Sequence, residues 1–330
     1  MTTTFMPCGA KMPIIGLIAE ALFHNAGWVA VSAYFIGMAA IIVSGIILKK
    51  TSMFAGNPAP FVMELPAYHF PSGGNVLRSM GERGWSFIKR AGTVILLSSI
   101  LIWFAQSYGW EAPAPEAALA EDAETVEAAE APATFGAVEN PDNSILGRVG
   151  GAISPVFEPL GFADWRFTLA TITGLVAKEE VVNVFGITFH TDTDDTDTAT
   201  LLDEGSDEEV EAGLSPIAAG FSATSGGYGQ LAAYAFMLFN LLCAPCFAAI
   251  GAIRREMNSA KWTWFAIGYQ CGFAYVVALM VYQLGRLFSG AGFTLWTAAA
   301  ILLLAGIVWM LVRKNKYDDE HLTRKVGRAA

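Results

Sequence analysis

Long uncharged runs alternate with short polar stretches along this chain, and the runs set the predicted elements. Trp28–Leu48 is 21 residues without a charge, closed by Lys49 and Lys50. That length spans a bilayer core of roughly 30 Å as a helix. Ala91–Trp110 follows Arg83, Lys89 and Arg90. Leu231–Ile253 ends at Arg254 and Arg255, Trp262–Leu284 follows Lys261, and Leu295–Val312 ends at Arg313 and Lys314. Each run has a basic flank, which predicts those flanks on the cytoplasmic side.

Two further runs are irregular. Ile145–Phe162 is short and interrupted by Gly147, Gly150, Gly151, Pro155 and Pro159. Phe167–Phe189 is apolar except for Lys178, Glu179 and Glu180 at its middle. A broken half-helix followed by a helix charged at its centre is tolerated at membrane depth only where backbone and charge line a protein cavity. The chain must cross an even number of times here, or dip and return.

Charge sharpens the orientation. The chain carries 30 acids against 20 bases, a net charge of −10. Nine of the acids lie in residues 111–143 and ten in 190–212, and neither stretch holds a base. The remaining 11 acids face all 20 bases, so the rest of the chain is positive. With 54% hydrophobic and only 15% charged residues, this is the composition of a polytopic membrane protein, not of a soluble domain.

The predicted fold is all-α, a transmembrane helical bundle with broken helices and acidic loops outside. Its predicted parts are 1–48 (a partial first repeat and its helix), a cytoplasmic segment 49–90, a helix 91–110, and an external loop 111–143. Broken central helices 144–189, a second acidic loop and lead-in 190–229, a second repeat 230–288, a last helix 289–313 and a cytoplasmic tail 314–330 complete it. The Ala/Glu/Pro-rich loop 111–143 and the run Thr191–Thr200 read as disordered and solvated.

Two constellations carry candidate chemistry. Pro7 and Pro13 bracket Cys8, with Gly9 beside it. Pro245 lies between Cys243 and Cys246 inside a predicted span. Proline removes a ladder hydrogen bond, so each site offers sulfur together with loosened backbone carbonyls. Cys243 and Cys246, three apart, are predicted to share one helix face. The bland reading of a membrane cysteine is a small buried hydrophobe; for Cys8 and Cys246 packing and metal binding both stand, and Cys271 reads as packing. A redox role for Cys243-Ala-Pro-Cys246 lacks the βαβ context it needs.

Glu179 and Glu180 are costly, since an acid at mid-bilayer costs at least ~2.5 kcal/mol on insertion scales. They read either as functional acids or as partners of Lys178; Asn183 follows one turn later. His24, His69, His190 and His321 are scattered. No P-loop and no H-E-x-x-H occurs, so nucleotide hydrolysis and zinc hydrolase chemistry are not expected of this chain. Nothing points to nucleic acid. The two Pro-Cys segments are followed by spans of opposite predicted direction, which suggests inverted repeats around a mid-membrane site.

These residues resemble the C-terminal membrane half of the bacterial ferrous iron transport protein B family. The resemblance rests on Met6-Pro-Cys-Gly-Ala-Lys-Met-Pro13, Pro60-Phe-Val-Met-Glu-Leu-Pro-Ala-Tyr68 and Lys89-Arg-Ala-Gly-Thr-Val94. It continues in Gly174-Leu-Val-Ala-Lys-Glu179, in Pro245-Cys246 with Ala252-Ile-Arg-Arg-Glu256, and in Ala274-Tyr-Val-Val-Ala278 with Tyr282-Gln283. It implies two gate repeats of the nucleoside-recognition type and Fe²⁺ as the transported substrate. It implies Cys8 and Cys246 as metal ligands and Glu179 as a carboxylate near the path. Cys243, Glu180 and Asn183 are secondary candidates, and Pro7, Gly9, Pro13 and Pro245 shape the breaks.

The family's GTP-binding domain would precede residue 1, so this sequence reads as a fragment, a truncated gene or half of a split protein. GTP and Mg²⁺ would belong to that domain, supplied in cis or in trans, and this chain is expected to hold no resident cofactor. Membrane lipid, small cytoplasmic accessory proteins and further copies of the chain are the expected partners. His69, Glu180, Asn183, Cys243 and Ala244 depart from the family pattern. The competing readings are a carrier of another solute, such as a nucleoside, and a non-transporting accessory subunit. The predicted location is the bacterial or archaeal inner membrane, with a cytoplasmic C-terminus.

Overall fold

The computed structural model describes residues 2–23, 26–51, 72–111, 134–138, 143–189 and 207–314. All four histidines, most of the first acidic loop and residues 190–206 lie outside the described residues. The described chain is a helical bundle with one small strand pair.

Helices α1 (Met12–Phe23), α2 (Gly27–Lys49) and α3 (Gly73–Ser107) come first. A short ladder of β1 (Tyr108–Glu111) and β2 (Thr134–Ala137) follows, antiparallel, with Tyr108 opposite Ala137 and Glu111 opposite Thr134. Next come α4 (Ile145–Ile153), a 3₁₀ stretch Ser154–Leu160, α5 (Trp165–Val176) and α6 (Glu180–Thr188). The chain closes with α7 (Asp207–Ser225), α8 (Gly229–Leu242), α9 (Phe247–Met257), α10 (Ala260–Phe288) and α11 (Leu295–Val312).

Among the described residues three helices are long and apolar enough to cross a membrane: α2, α10 and α11. Their bounds follow the uncharged runs closely. Helix α3, with 35 residues, is far longer than the predicted 91–110. At 1.5 Å per residue it reaches about 52 Å, well beyond a bilayer core. Its first half carries polar residues such as Arg78 and Glu82, paired at 3.1 Å and both exposed.

Three expectations need correction. Leu231–Ile253 is not one helix, because α8 stops at Leu242 and α9 starts at Phe247. Pro245 supplies no amide hydrogen for the ladder, and Cys243 and Cys246 are both extended (ψ 167° and 160°). The two thiols therefore do not share a helix face. Phe167–Phe189 is likewise two helices: Ala177 is extended (φ −142°, ψ 132°). Finally, residues 111–143 are not one irregular loop, since Glu111 and Thr134–Ala137 pair as strands. Trp110 and Phe135 pack at 5.4 Å across that pair, and Arg148 lies 5.2 Å over Trp110. The end of the second acidic run, from Asp207, is helical.

Helices α5 and α6 fold back on one another. Phe167, near the start of α5, packs 5.8 Å from Phe185 and 5.5 Å from Phe189, both near the end of α6. At the bend Gly174 meets Val181 so closely that an added Cβ would lie 2.6 Å from its methyl group. This is a hairpin that enters the bundle and returns, one of the two alternatives left open for this stretch. Lys178 and Glu179 form its tip.

Helix α8 is the central strut. Most of it is buried on every side, as expected of a helix apolar all round. Its Phe236 joins Phe167, Phe185 and Phe221 in one aromatic cluster, with Phe167 and Phe221 stacked at 4.0 Å. Sparse polar links tie the layers together. Ser32 meets Tyr234 at 2.7 Å, and Ser44 meets Tyr269 at 2.6 Å. Gln283 donates to the Pro159 carbonyl at 2.6 Å and accepts from Thr297.

Candidate functional site

Three interruptions of helix geometry meet at one level of the bundle. The first is the segment before α1. Residues Thr3–Phe5 and Gly9–Lys11 are single 3₁₀ turns, separated by the extended Met6 and Cys8. Pro7 and Pro13 account for the failure to make a continuous helix. The second is the hairpin tip at Ala177–Glu179, and the third is Cys243–Cys246. A polar side chain of the first break reaches the third: the Lys11 ammonium donates to the Leu241 carbonyl at 2.6 Å and to the Thr4 carbonyl at 3.0 Å. Leu241 lies in the last turn of α8, where carbonyls lack intrahelical partners. Lys11, only 3% exposed, therefore caps that helix.

Lys178 is buried still more deeply, at 1% exposure, and its Nζ has no hydrogen-bond partner among the described residues. Cys8, Cys243, Cys246 and Cys271 are near enough to act on it electrostatically. Lys11 senses Lys178 and three of the same thiols, Cys8, Cys243 and Cys246. The structure thus gathers all four cysteines of the chain about two buried lysines. Cys8 is exposed, Cys246 and Cys271 are half-buried, and Cys243 is buried. Cys243 and Cys271 are in contact, sulfur to sulfur 3.4 Å.

The acids are placed differently. Glu179 is exposed at the N-terminal edge of α6, Glu180 is half-buried and Asn183 is exposed. Neither glutamate pairs with Lys178, although they are its neighbours in sequence. Pro245 is buried, Pro7 and Pro13 are half-buried, and Gly9 is exposed. Among the described residues no three Cys, His, Asp or Glu side chains converge as a metal cage. In this conformation Glu179 is exposed while both lysines are buried.

Four residues of this cluster carry no candidate role in the sequence reading. Lys11 and Lys178 were visible as cations inside apolar or proline-broken stretches, but their burial was not. Cys271 is one helix away from any proline, so only packing brings it to Cys243. Asn240 is the fourth: its side chain is 1% exposed, its Nδ2 donates to the Phe236 carbonyl at 3.2 Å, and its Oδ1 is unpartnered among the described residues. Gly174 faces both groups, since a Cβ there would lie 3.7 Å from Asn240 Oδ1 and 3.9 Å from Lys178 Cδ.

The cluster has an apolar flank toward α9 and α10. A cavity of about 440 Å³ is lined by Leu175, Ala244, Phe247, Ile267 and Cys271, with Arg254 at its edge. A second, more polar cavity of about 450 Å³ lies at the other end of α8, beside Gly229, Gln230 and Ser222.

Comparison with known proteins places these features. The family model described as ferrous iron transport protein B C terminus matches residues 30–83, and that described as nucleoside recognition matches residues 88–260. A fusion of Fe(2+) transport protein A with Fe(2+) transporter FeoB from Porphyromonas gingivalis is 33% identical over 87% of this chain. Fe(2+) transporter FeoB of Methanocaldococcus jannaschii is 32% identical over 86% of it, and that of Salmonella typhimurium 30% identical over 98%. The chain spans 34%, 36% and 43% of those relatives, roughly a third to two fifths of their length. No solved structure matches the chain.

Proposed function

Since this chain belongs to the ferrous iron transport protein B family, and is a multi-pass membrane protein carrying that family's C-terminal and gate portions, we propose that it conducts Fe²⁺ across the cell membrane into the cytoplasm. The observation that carries this reading is that three backbone breaks, two of them carrying cysteines, adjoin one another around the end of α8 in an otherwise apolar bundle. Breaks free carbonyl oxygens, and thiols are donors that hard ions such as Mg²⁺ and Ca²⁺ bind weakly. Fe²⁺ sits low in the affinity order of divalent metals, so ligand type and geometry must select it.

In this reading Cys8 and Cys246 are the principal ligands. Each sits at a proline-made break, and each is more accessible than Cys243. Cys243 joins them from the same break. Glu179, Glu180 and Asn183 line the approach at the hairpin tip rather than the thiol cluster itself. The chain itself performs no group transfer. Energy coupling belongs to a GTP-binding domain acting in cis or in trans, with GTP and Mg²⁺ bound there. A small accessory protein of the Fe(2+) transport protein A type is a candidate partner, because one relative is printed as a fusion with it. The basic flanks of α2, α9 and α11 support a cytoplasmic C-terminus.

A nucleoside carrier is the competing reading, because one matching model is described as nucleoside recognition. The deciding experiment measures uptake of radiolabelled Fe²⁺ and of nucleosides by membrane vesicles holding the chain with its GTP-binding domain supplied. Saturable Fe²⁺ uptake without nucleoside uptake is expected. Nucleoside uptake without Fe²⁺ uptake overturns the assignment.

A further inference from the structure

Cys243 and Cys271 touch, sulfur to sulfur 3.4 Å, and both are free thiols. A disulfide bond is about 2.05 Å long, so the two sulfurs are about 1.4 Å short of one. The local backbone can make up that distance. Cys243 follows the last residue of α8 and is extended (φ −60°, ψ 167°), in a break that Pro245 keeps out of helix. A turn of its side chain and a small shift of the break bring the sulfurs together without unwinding a helix. Cys271 sits on α10, a 29-residue helix that gives it a fixed mount. The two thiols also differ in access. Cys243 is 4% exposed, whereas Cys271 is half-buried and lines the apolar cavity of about 440 Å³ together with Ala244. A small oxidant in that cavity meets Cys271 first and finds Cys243 behind it.

We propose that Cys243 and Cys271 form a redox switch: a hydroperoxide reaching Cys271 through the apolar cavity converts the pair to a disulfide that pins the Cys243–Cys246 break to α10. The Cys271 sulfur attacks the peroxide O–O bond and takes up one oxygen as a sulfenic acid. Water leaves if the oxidant is hydrogen peroxide, and an alcohol leaves if it is an organic hydroperoxide. The Cys243 thiol then attacks that sulfur and gives up its proton, and the sulfenic oxygen departs as water. Two electrons pass from the two sulfurs to the peroxide, and a dithiol reductant returns them by exchange. A disulfide made and broken in this way is a sensor rather than a staple.

The consequence for transport rests on the reading of Cys8 and Cys246 as gate ligands. Cys246 lies three residues beyond Cys243. Bonding Cys243 to α10 holds that stretch in one position and removes Cys243 as a donor, so the oxidised chain admits Fe²⁺ poorly. Fe²⁺ reduces hydroperoxides by one electron, giving Fe³⁺, hydroxide and an oxygen-centred radical. Closure in the presence of hydroperoxide keeps those two reactants apart.

The test exposes the full chain in lipid nanodiscs to cumene hydroperoxide, which partitions into apolar space, and in a parallel arm to hydrogen peroxide. Peptide mass spectrometry should find Cys243 joined to Cys271, reversed by dithiothreitol, with cumene hydroperoxide acting at the lower concentration. Oxidation should slow alkylation of Cys246 about fivefold, because a pinned break opens less often, and dithiothreitol should restore the rate. Cys271→Ser, or Cys271→Ala if the serine variant folds poorly, should show neither the link nor the slowing. Absence of the linked peptide overturns the proposal, and hydrogen peroxide acting at the lower concentration overturns the cavity as the route. A linked pair with Cys246 alkylation unchanged, or an equal slowing in Cys271→Ser, overturns the switch. With the GTP-binding domain supplied, oxidation should cut Fe²⁺ uptake about tenfold in the wild type and spare Cys271→Ser. Uptake that ignores a formed link overturns the closure. A chain that forms the link and slows at Cys246, yet takes up no Fe²⁺ even when reduced, overturns the transport reading and leaves the switch standing.

Discussion

The Lys11 ammonium reaches the Leu241 carbonyl at 2.6 Å, joining residues 230 positions apart. It fastens the Cys8 segment to the end of the helix that leads into Cys243. A lysine in the 3₁₀ turn after the thiol thus fixes the spacing of two candidate gate elements that the chain makes far apart. The contact is buried, so solvent does not compete for it.

Replacing Lys11 by Met should loosen that joint. The Leu241 carbonyl loses its donor in an apolar setting, which costs about 1–3 kcal/mol. A lower unfolding temperature in detergent is expected, together with reduced Fe²⁺ uptake. An unchanged unfolding temperature would mean that the bond contributes nothing to the fold.

Gly37 controls how closely α2 approaches the Cys8 segment. A Cβ at this position would lie 3.0 Å from the Phe5 carbonyl oxygen and 3.3 Å from the Pro7 ring. Gly37→Leu should push that segment away and change the alkylation rate of Cys8 several-fold, whereas Gly45→Leu, with nothing within 4 Å of its Cβ, should leave it alone. Equal alkylation rates in both variants would show that Gly37 does not position the thiol.

The contact of Cys243 with Cys271, at 3.4 Å, makes a vicinal dithiol. A trivalent arsenical that bridges two thiols should be retained by the wild type and released by either Cys243→Ser or Cys271→Ser. From the sequence Cys271 reads as a packing residue. Retention by Cys271→Ser would restore that reading.

How far the sequence carried depends on what each signal measured. Uninterrupted runs such as Leu295–Val312 gave their helices almost to the residue, because length and lack of charge are what a bilayer demands. Pro7 and Pro245 marked breaks, since a missing amide is a local property. The break at Ala177 has no proline and follows from burying Lys178 while Glu179 stays exposed, a tertiary outcome. The helical face shared by Cys243 and Cys246 failed because periodicity assumes an unbroken helix. The meeting of Cys243 with Cys271, and the burial of Lys11 and Lys178, depend on helix packing that no local pattern encodes.

The proposed orientation is drawn from the basic flanks, and one contact bears on which helix ends share a side. Lys50, at the end of α2, donates to the Arg313 carbonyl at 2.6 Å, beyond the end of α11, so both helix ends lie on one side. Single cysteines introduced at Ala120 and Ser206 should react with an impermeant maleimide added outside, and those at Ser72 and Thr323 should not. External labelling at Ser72 would reverse the topology.

The most direct test of the thiol gate is the initial rate of Fe²⁺ uptake by the complete system carrying Cys8→Ser or Cys246→Ser. A serine hydroxyl keeps size and polarity but stays protonated near neutral pH and binds Fe²⁺ poorly. Either substitution should cut uptake about tenfold or more, a loss of roughly 1.4 kcal/mol in transition-state stabilisation, with membrane abundance unchanged. Wild-type uptake in both variants would show that these cysteines only pack the bundle, and would contradict the gate.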